Sequence, residues 1–219
     1  MLCDEELYEP QIEGLRDLVE PLPLMVAEAS MAESVAAVLR HAPERFLLAG
    51  TSYGASLALE VAVAAPARVA GLWLMGCNPG PHGDPAVGRR LGERVRAGEF
   101  EAVVEELAER VVYGPGPNAA AGRAAVRRMA RRTGPAVFER QNASLLGRLD
   151  RRDDLPVITC PTLLLWGRDD TFAGVQHGTT MAERIPRSRL WTLDDCGHLP
   201  TLEQPAAVTA AVRDWLRGS

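Results

Sequence analysis

Apolar residues in this chain gather in short unbroken runs, separated by longer segments with helical spacing. Residues 46–50 (FLLAG) and 162–166 (TLLLW) are continuous apolar stretches without alternation. That is how strands read when helices cover both faces of their sheet. Residues 69–77 and 189–193 read as two further strands. Helical patterns cover residues 55–65, which stop at Pro66, then 175–185 and 203–216. Pro205 falls in the first turn of the last of these, where a missing N–H does no harm. Alternating strands and helices predict an α/β fold: a mostly parallel sheet flanked by helices.

Residues 84–152 break the alternation. They contain no strand-like run, and helical patterns at 100–112 and 119–132 are separated by Gly114-Pro115-Gly116-Pro117. The stretch predicts a helical lid or cap inserted into a core formed by residues 1–83 and 153–219. It holds fourteen arginines against nine carboxylates, whereas the rest of the chain is acidic. This charge fits either a solvated helical surface or a lid that attracts anions. The Gly-Pro repeat follows no strand, so it is not a phosphate-binding loop.

Composition narrows the function. Of 219 residues, 47% are hydrophobic and 24% charged, ordinary for a globular domain with a sizeable core. The net charge of −5 argues against nucleic-acid binding. Every cationic side chain besides histidine is arginine, which excludes a lysine Schiff base or a P-loop lysine. No apolar run is long enough for a membrane span, and the acidic opening MLCDEELYEPQ does not read as a signal peptide. Cys3, Cys77, Cys160 and Cys196 are scattered without a CxxC pair. They predict free thiols in a reducing, cytoplasmic setting and no metal site.

Gly50-Thr51-Ser52-Tyr53-Gly54 is a G-x-S-x-G motif lying after an apolar strand and before a helix. That context gives it meaning: a serine on a sharp strand-to-helix turn projects its hydroxyl from the sheet edge. The small residues on either side are expected to let strand and helix approach closely. The start of the helix directs N–H groups toward a developing oxyanion. A nucleophilic serine needs a base, and the base needs an orienting acid. Of the four histidines, His198 lies in a loop between the last strand and the closing helix, whereas His41, His82 and His177 read as surface residues. The acid belongs after another strand, where Gly167-Arg168-Asp169-Asp170 lies. Asp170 sits further into the turn and is favoured, with Asp169 as the alternative and helix capping as the competing role for both.

The order Ser…Asp…His, with GTSYG, PTLLLWGRDD and DCGHLPTLEQP, resembles the α/β-hydrolase superfamily, in particular its esterase and meta-cleavage-hydrolase branches. The 28 residues from Asp170 to His198 are similar to the spacing in those branches. The resemblance implies an α/β-hydrolase fold with Ser52 as nucleophile, Asp170 as acid and His198 as base. It further implies an oxyanion hole made by the N–H groups of Tyr53 and of a residue in an earlier loop. Met1 matches that second place, Leu2 is the next candidate, and Tyr8 falls where the family has a common aromatic. The family's strands ahead of that loop have no counterpart in this sequence. Either the chain begins at an internal methionine, or residues 23–27 rebuild the sheet beside 46–50.

The implied activity is a serine hydrolase cleaving small carboxylic esters through an acyl-enzyme, with no metal or organic cofactor. Lactone, thioester or carbon–carbon hydrolysis on the same fold is the alternative, and an impaired enzyme or non-catalytic scaffold is a reading from another class. A serine at position 52 argues against haloalkane dehalogenase or epoxide hydrolase chemistry, which uses aspartate there. A small-molecule ester is the expected partner, and open sheet edges would favour a homodimer. Trp166, Phe138 and Met129 are expected either to line a substrate pocket or to pack in the core or lid. A neutral base is needed, so the rate is expected to rise through the imidazole range, about 6.5 for a free side chain.

Overall fold

A computed structural model describes residues 1–218. The strands are β1 (Phe46–Thr51), β2 (Val69–Met75), β3 (Thr162–Gly167) and β4 (Ser188–Leu193). The helices are α1 (Glu9–Gly14), α2 (Met31–His41), α3 (Tyr53–Ala64), α4 (Pro85–Arg96), α5 (Phe100–Val111), α6 (Ala119–Leu146), α7 (Gln176–Arg184), α8 (Pro200–Glu203) and α9 (Pro205–Gly218). All strand pairs are parallel, in the order β1-β2-β3-β4. Their C-terminal ends therefore share one edge, and the loops that leave it carry the chemistry.

Alternation along the strands explains the two layers of helices. Leu72, Leu74, Leu164 and Trp166 face one side and pack with α2, α3 and α7 through Val38, Leu57, Val61 and Met181. Trp73, Met75, Leu163 and Leu165 face the other side and meet Val208, Val212 and Trp215 of α9. β3 is buried along its whole length, which accounts for its unbroken apolar run.

Residues 23–27 form no strand, so the rebuilt sheet considered from the sequence is not realised. The Val26 carbonyl instead accepts from the Gln141 side-chain amide of α6 at 2.8 Å, which ties this segment to α6 and not to β1. Among the described residues β1 is thus an open edge of a short sheet, with Leu47 exposed on it; Leu22, Leu24 and Met25 are exposed as well. The closing helix also differs from expectation. It is divided into α8 and α9, because Gln204 leaves helical geometry (φ −138°, ψ 60°) and Pro205 begins a new helix.

Between β2 and β3 lie α4, α5 and α6. The helical pattern at 119–132 continues to Leu146 across a break at Gly134 (φ 78°), followed by Pro135. Phe138, Val103 and Val104 form one buried cluster with Leu2, and Met129, Val126 and Ala108 form another with Leu7 and Leu199. Phe138, Met129 and Trp166 are all fully buried, which makes them packing residues, not pocket walls. Trp166 also donates its indole N–H to the Ala173 carbonyl at 2.6 Å.

Several arginines of this insertion have carboxylate partners. Arg123, Arg127 and Arg131, spaced four apart on α6, pair with Glu101, Glu105 and Glu109, spaced four apart on α5. Arg132 binds Asp4 at 2.7 Å and also Glu6, and holds the Asp4 carboxyl below its ordinary range. Solvent screens such exposed pairs, so each adds little to stability by itself. Three of the fourteen arginines thus form a solvated ladder that aligns two helices, and the excess positive charge is met in part from outside the stretch, by Asp4 and Glu6 at the N-terminus and by Glu60 on Arg151. Truncating Phe138 to alanine is expected to cost about 3–5 kcal/mol, measured by denaturant unfolding.

Candidate active site

β1 ends at Thr51, and Ser52 turns the chain into α3 with φ 57° and ψ −116°. This is a left-handed backbone conformation that a non-glycine residue adopts only when its surroundings impose it. Two contacts impose it here. The Ser52 N–H donates to the Met75 carbonyl at 2.9 Å, which ties the turn to the end of β2. A Cβ on Gly50 would lie 2.3 Å from the Gly54 carbonyl oxygen, so only glycine allows the strand and helix to come this close. Gly54 is different: a Cβ there meets nothing within 4 Å. Position 54 contributes its backbone to the close approach, and the requirement for a missing side chain belongs to position 50. As the first residue of α3, Tyr53 has a backbone N–H with no intrahelical acceptor.

The carboxylate and imidazole come from the ends of β3 and β4. Asp170 Oδ2 lies 2.8 Å from His198 Nδ1, and both side chains are buried. Asp170 Oδ1 accepts from the N–H groups of Phe172 at 2.8 Å and Ala173 at 2.9 Å. The carboxylate is thus fixed from behind while its other oxygen faces the histidine. Asp169 is exposed, and its N–H donates to the Cys196 carbonyl at 2.9 Å. A Cβ on Gly167 would fall 2.1 Å from the Gly197 carbonyl oxygen, so β3 ends directly against the histidine loop.

Gly76 links these parts. It follows Met75, whose carbonyl holds the Ser52 turn, and it has φ 57°. A Cβ there would stand 2.9 Å from His198 Nδ1 and Cε1, and 3.3 Å from Asp170 Oδ2. The residues bordering the ends of β1 and β2 thus bring Ser52 to the same edge as the Asp170–His198 pair. The Phe172 ring lies 5.3 Å from the imidazole, and the Arg110 guanidinium covers Phe172 at 4.8 Å. Burial pushes the Cys77 thiol up to about 12 and raises Cys196 as well, so neither is a thiolate at neutral pH.

Met1 packs against the apolar cluster that contains Tyr53, and Leu2 is buried with φ 64°. Tyr8 OH bonds Thr51 Oγ1 at 2.7 Å, and its ring stands edge-on to Trp73. A cavity of about 960 Å³ runs beside β1, with Met1, Tyr8, Thr51, Tyr53 and Trp73 among its walls. His41 is exposed as expected, but His82 and His177 are half-buried, which corrects their reading as surface residues. Burial, followed by the Arg148 charge, lowers the pKa of both. Among the described residues, no three His, Cys, Asp or Glu side chains form a group that could hold a metal. Nor is any described helix long and apolar enough to cross a membrane. Sequence reasoning passed over Glu203, which was placed in the closing helix; its carboxylate is buried under the histidine loop.

The sequence profile of the alpha/beta hydrolase family matches residues 12–212, and the chain belongs to that family. It is 25% identical over 197 residues to a pimeloyl-[acyl-carrier protein] methyl ester esterase of Vibrio parahaemolyticus, covering 84% of this chain and 75% of that protein. It is 37% identical over 59 residues to a 2-hydroxy-6-oxononadienedioate/2-hydroxy-6-oxononatrienedioate hydrolase of Cupriavidus pinatubonensis, which is 27% of this chain and 20% of that protein. Among solved structures, a thermophilic esterase from Thermogutta terrifontis superposes with a TM-score of 0.84 at 28% identity, over 99% of this chain and 86% of that one. An enol-lactonase from Burkholderia xenovorans shares the fold, with a TM-score of 0.84 at 19% identity over 99% of this chain and 88% of that one.

Replacing Gly76 with alanine is expected to drive the imidazole away from Asp170. The low-field proton resonance of a histidine Nδ1–H bonded to carboxylate should vanish from the NMR spectrum, while circular dichroism remains that of a folded chain.

Proposed function

We propose that this hydrolase-family chain cleaves small carboxylic esters through an acyl-enzyme formed on Ser52. The observation that carries the proposal is the buried 2.8 Å contact between Asp170 and His198, at the edge where Ser52 leaves its strand with φ 57°. Ser52 Oγ attacks the ester carbonyl, and His198 Nε2 takes its proton. Asp170 accepts the bond from Nδ1–H, which fixes the tautomer and stabilises the imidazolium. The Tyr53 N–H and the N-terminal loop at Met1 hold the oxyanion. The imidazolium protonates the leaving alcohol. His198 then activates water, which releases the acid and regenerates Ser52. The chemistry needs no metal or organic cofactor. A reducing, cytoplasmic setting is part of the proposal, on the scattered spacing of the four cysteines along the sequence.

The relatives suggest which substrates to try first. The Vibrio protein is a methyl ester esterase and the Thermogutta protein an esterase, which favours esters. An enol-lactone and 2-hydroxy-6-oxononadienedioate come next, the compounds in the names of the Burkholderia and Cupriavidus proteins. A second reading, a weak enzyme or non-catalytic scaffold, draws on the open edge of β1. The segment bearing Met1 is held by side-chain packing in place of a neighbouring strand. Loss of one oxyanion donor costs about 10²–10³ in rate.

An activated short-chain aryl ester should give a burst of aryl alcohol that Ser52→Ala abolishes, and a fluorophosphonate probe should label the parent only. Equal background rates in parent and variant would favour the scaffold. Asp170→Asn should lower kcat far more than Asp169→Asn, and the reverse would exchange their roles. We also propose that two copies associate through the β1 edge, where Leu47 is exposed. Leu47→Lys should then shift the species seen by analytical ultracentrifugation toward monomer.

A further inference from the structure

We infer that Glu203 is the positioning residue for His198, and that it acts by clamping the histidine loop to the strap that joins α5 to α6. This inference rests on the role proposed for His198.

Glu203 is 4% exposed, and its carboxylate accepts three backbone N–H groups. Gly197 donates to Oε2 at 2.8 Å and Leu199 to Oε1 at 2.9 Å. These are the residues immediately before and after His198. The third donor is Tyr113, to Oε2 at 2.8 Å, from the strap that follows α5. The last residue of α5, from which the strap leaves, reaches the histidine directly: the His198 N–H donates to the Val111 carbonyl at 3.0 Å. Asn118, at the far end of the strap, donates its side-chain amide to the Glu203 carbonyl at 2.9 Å. A Cβ on Gly197 would lie 2.7 Å from the Tyr113 nitrogen and 3.1 Å from Glu203 Oε1, so loop, strap and carboxylate are in close contact.

The loop has reason to need such a clamp. Asp195, three residues before His198, is held at φ 52° without being glycine. That conformation persists only when the surroundings over-determine it. Bonds from backbone N–H to an ionised carboxylate are roughly twice as strong as those between neutral groups. Three of them converging on one buried side chain fix the peptide planes on both sides of the imidazole. They also make the position of the base depend on the strap. Glu203 is committed to these backbone groups, so it acts on the reaction through His198.

The test is Glu203→Gln, which retains the size of the side chain but turns an NH₂ group toward backbone donors. It is assayed with p-nitrophenyl acetate alongside the parent and Ser52→Ala. kcat should fall at least tenfold, KM should stay within twofold, and fluorophosphonate labelling of Ser52 should slow by the same factor as kcat. The low-field His198 Nδ1 proton should broaden or disappear while the chain remains folded by circular dichroism. A second variant, Tyr113→Pro, removes the strap's N–H donor together with a phenol that bonds Asp195, so its effect is read against Tyr113→Ala, which loses the side chain but keeps the N–H. Val112 already has φ −110° and ψ 136°, the geometry a residue before proline prefers. Tyr113→Pro should lower kcat at least threefold below Tyr113→Ala, with KM again little changed. Parental kcat and a parental Nδ1 resonance in both Glu203→Gln and Tyr113→Pro would overturn the inference. So would a loss of activity that appears only as unfolding. Normal activity in Ser52→Ala would instead overturn the proposed nucleophile. If the parent hydrolyses no ester, the Nδ1 resonance alone decides whether Glu203 positions the histidine.

Discussion

At Gly76, a single missing side chain makes room for two others. A Cβ at that position would collide with the imidazole of His198 and crowd Asp170, and the carbonyl of the preceding residue holds the turn that carries Ser52. Four strands of one parallel sheet supply the components, and the ends of β1 and β2 bring them to one place. Packing around that point explains features that look unrelated along the chain. Gly50 is required because strand and helix nearly touch, and Gly167 because β3 ends against the histidine loop. The backbone strain at Ser52 and Asp195 is borne by the bonds around them.

The parts most legible in the sequence were those set by period and spacing. Unbroken apolar runs at 46–50 and 162–166 became β1 and β3, and the serine motif between strand and helix became the turn at Ser52. The choice of Asp170 over Asp169 followed from position in the turn, and the structure brings Asp170 to His198 while Asp169 faces solvent. Less legible was whatever depends on contacts between distant segments. Glu203 looked like one more carboxylate in a helix, because its donors lie at Gly197, Leu199 and Tyr113, and the last of these is 90 residues away. The half-buried state of His82 and His177 was hidden for the same reason. The division of the final helix at Pro205 came from a residue that can start a helix as readily as occupy its first turn. Residues 23–27 are tied by the Val26 carbonyl to Gln141, 115 residues away, a contact that the hydrophobic pattern does not register.

The insertion between β2 and β3 is held in two ways. Its apolar side is anchored by Phe138, Met129 and the valines of α5, which reach Leu2, Leu7 and Leu199. Its charged side is organised by the α5–α6 ladder and by Arg132 on Asp4 and Glu6. The first N-terminal residues are thereby joined to the insertion through both kinds of contact. Val111 at the end of α5 and Tyr113 in the strap after it carry the same connection to the loop of His198.

The two sets of charged contacts differ in how they respond to dissolved salt. The ladder between α5 and α6 is open to solvent, where mobile counter-ions screen charges over about 8–10 Å at ordinary ionic strength. The Asp170–His198 contact and the Glu203 clamp are buried, out of reach of most of that atmosphere. Electrolyte concentration therefore acts as a selective dial, loosening the cohesion of the outer helices while the interior hydrogen bonds keep their strength.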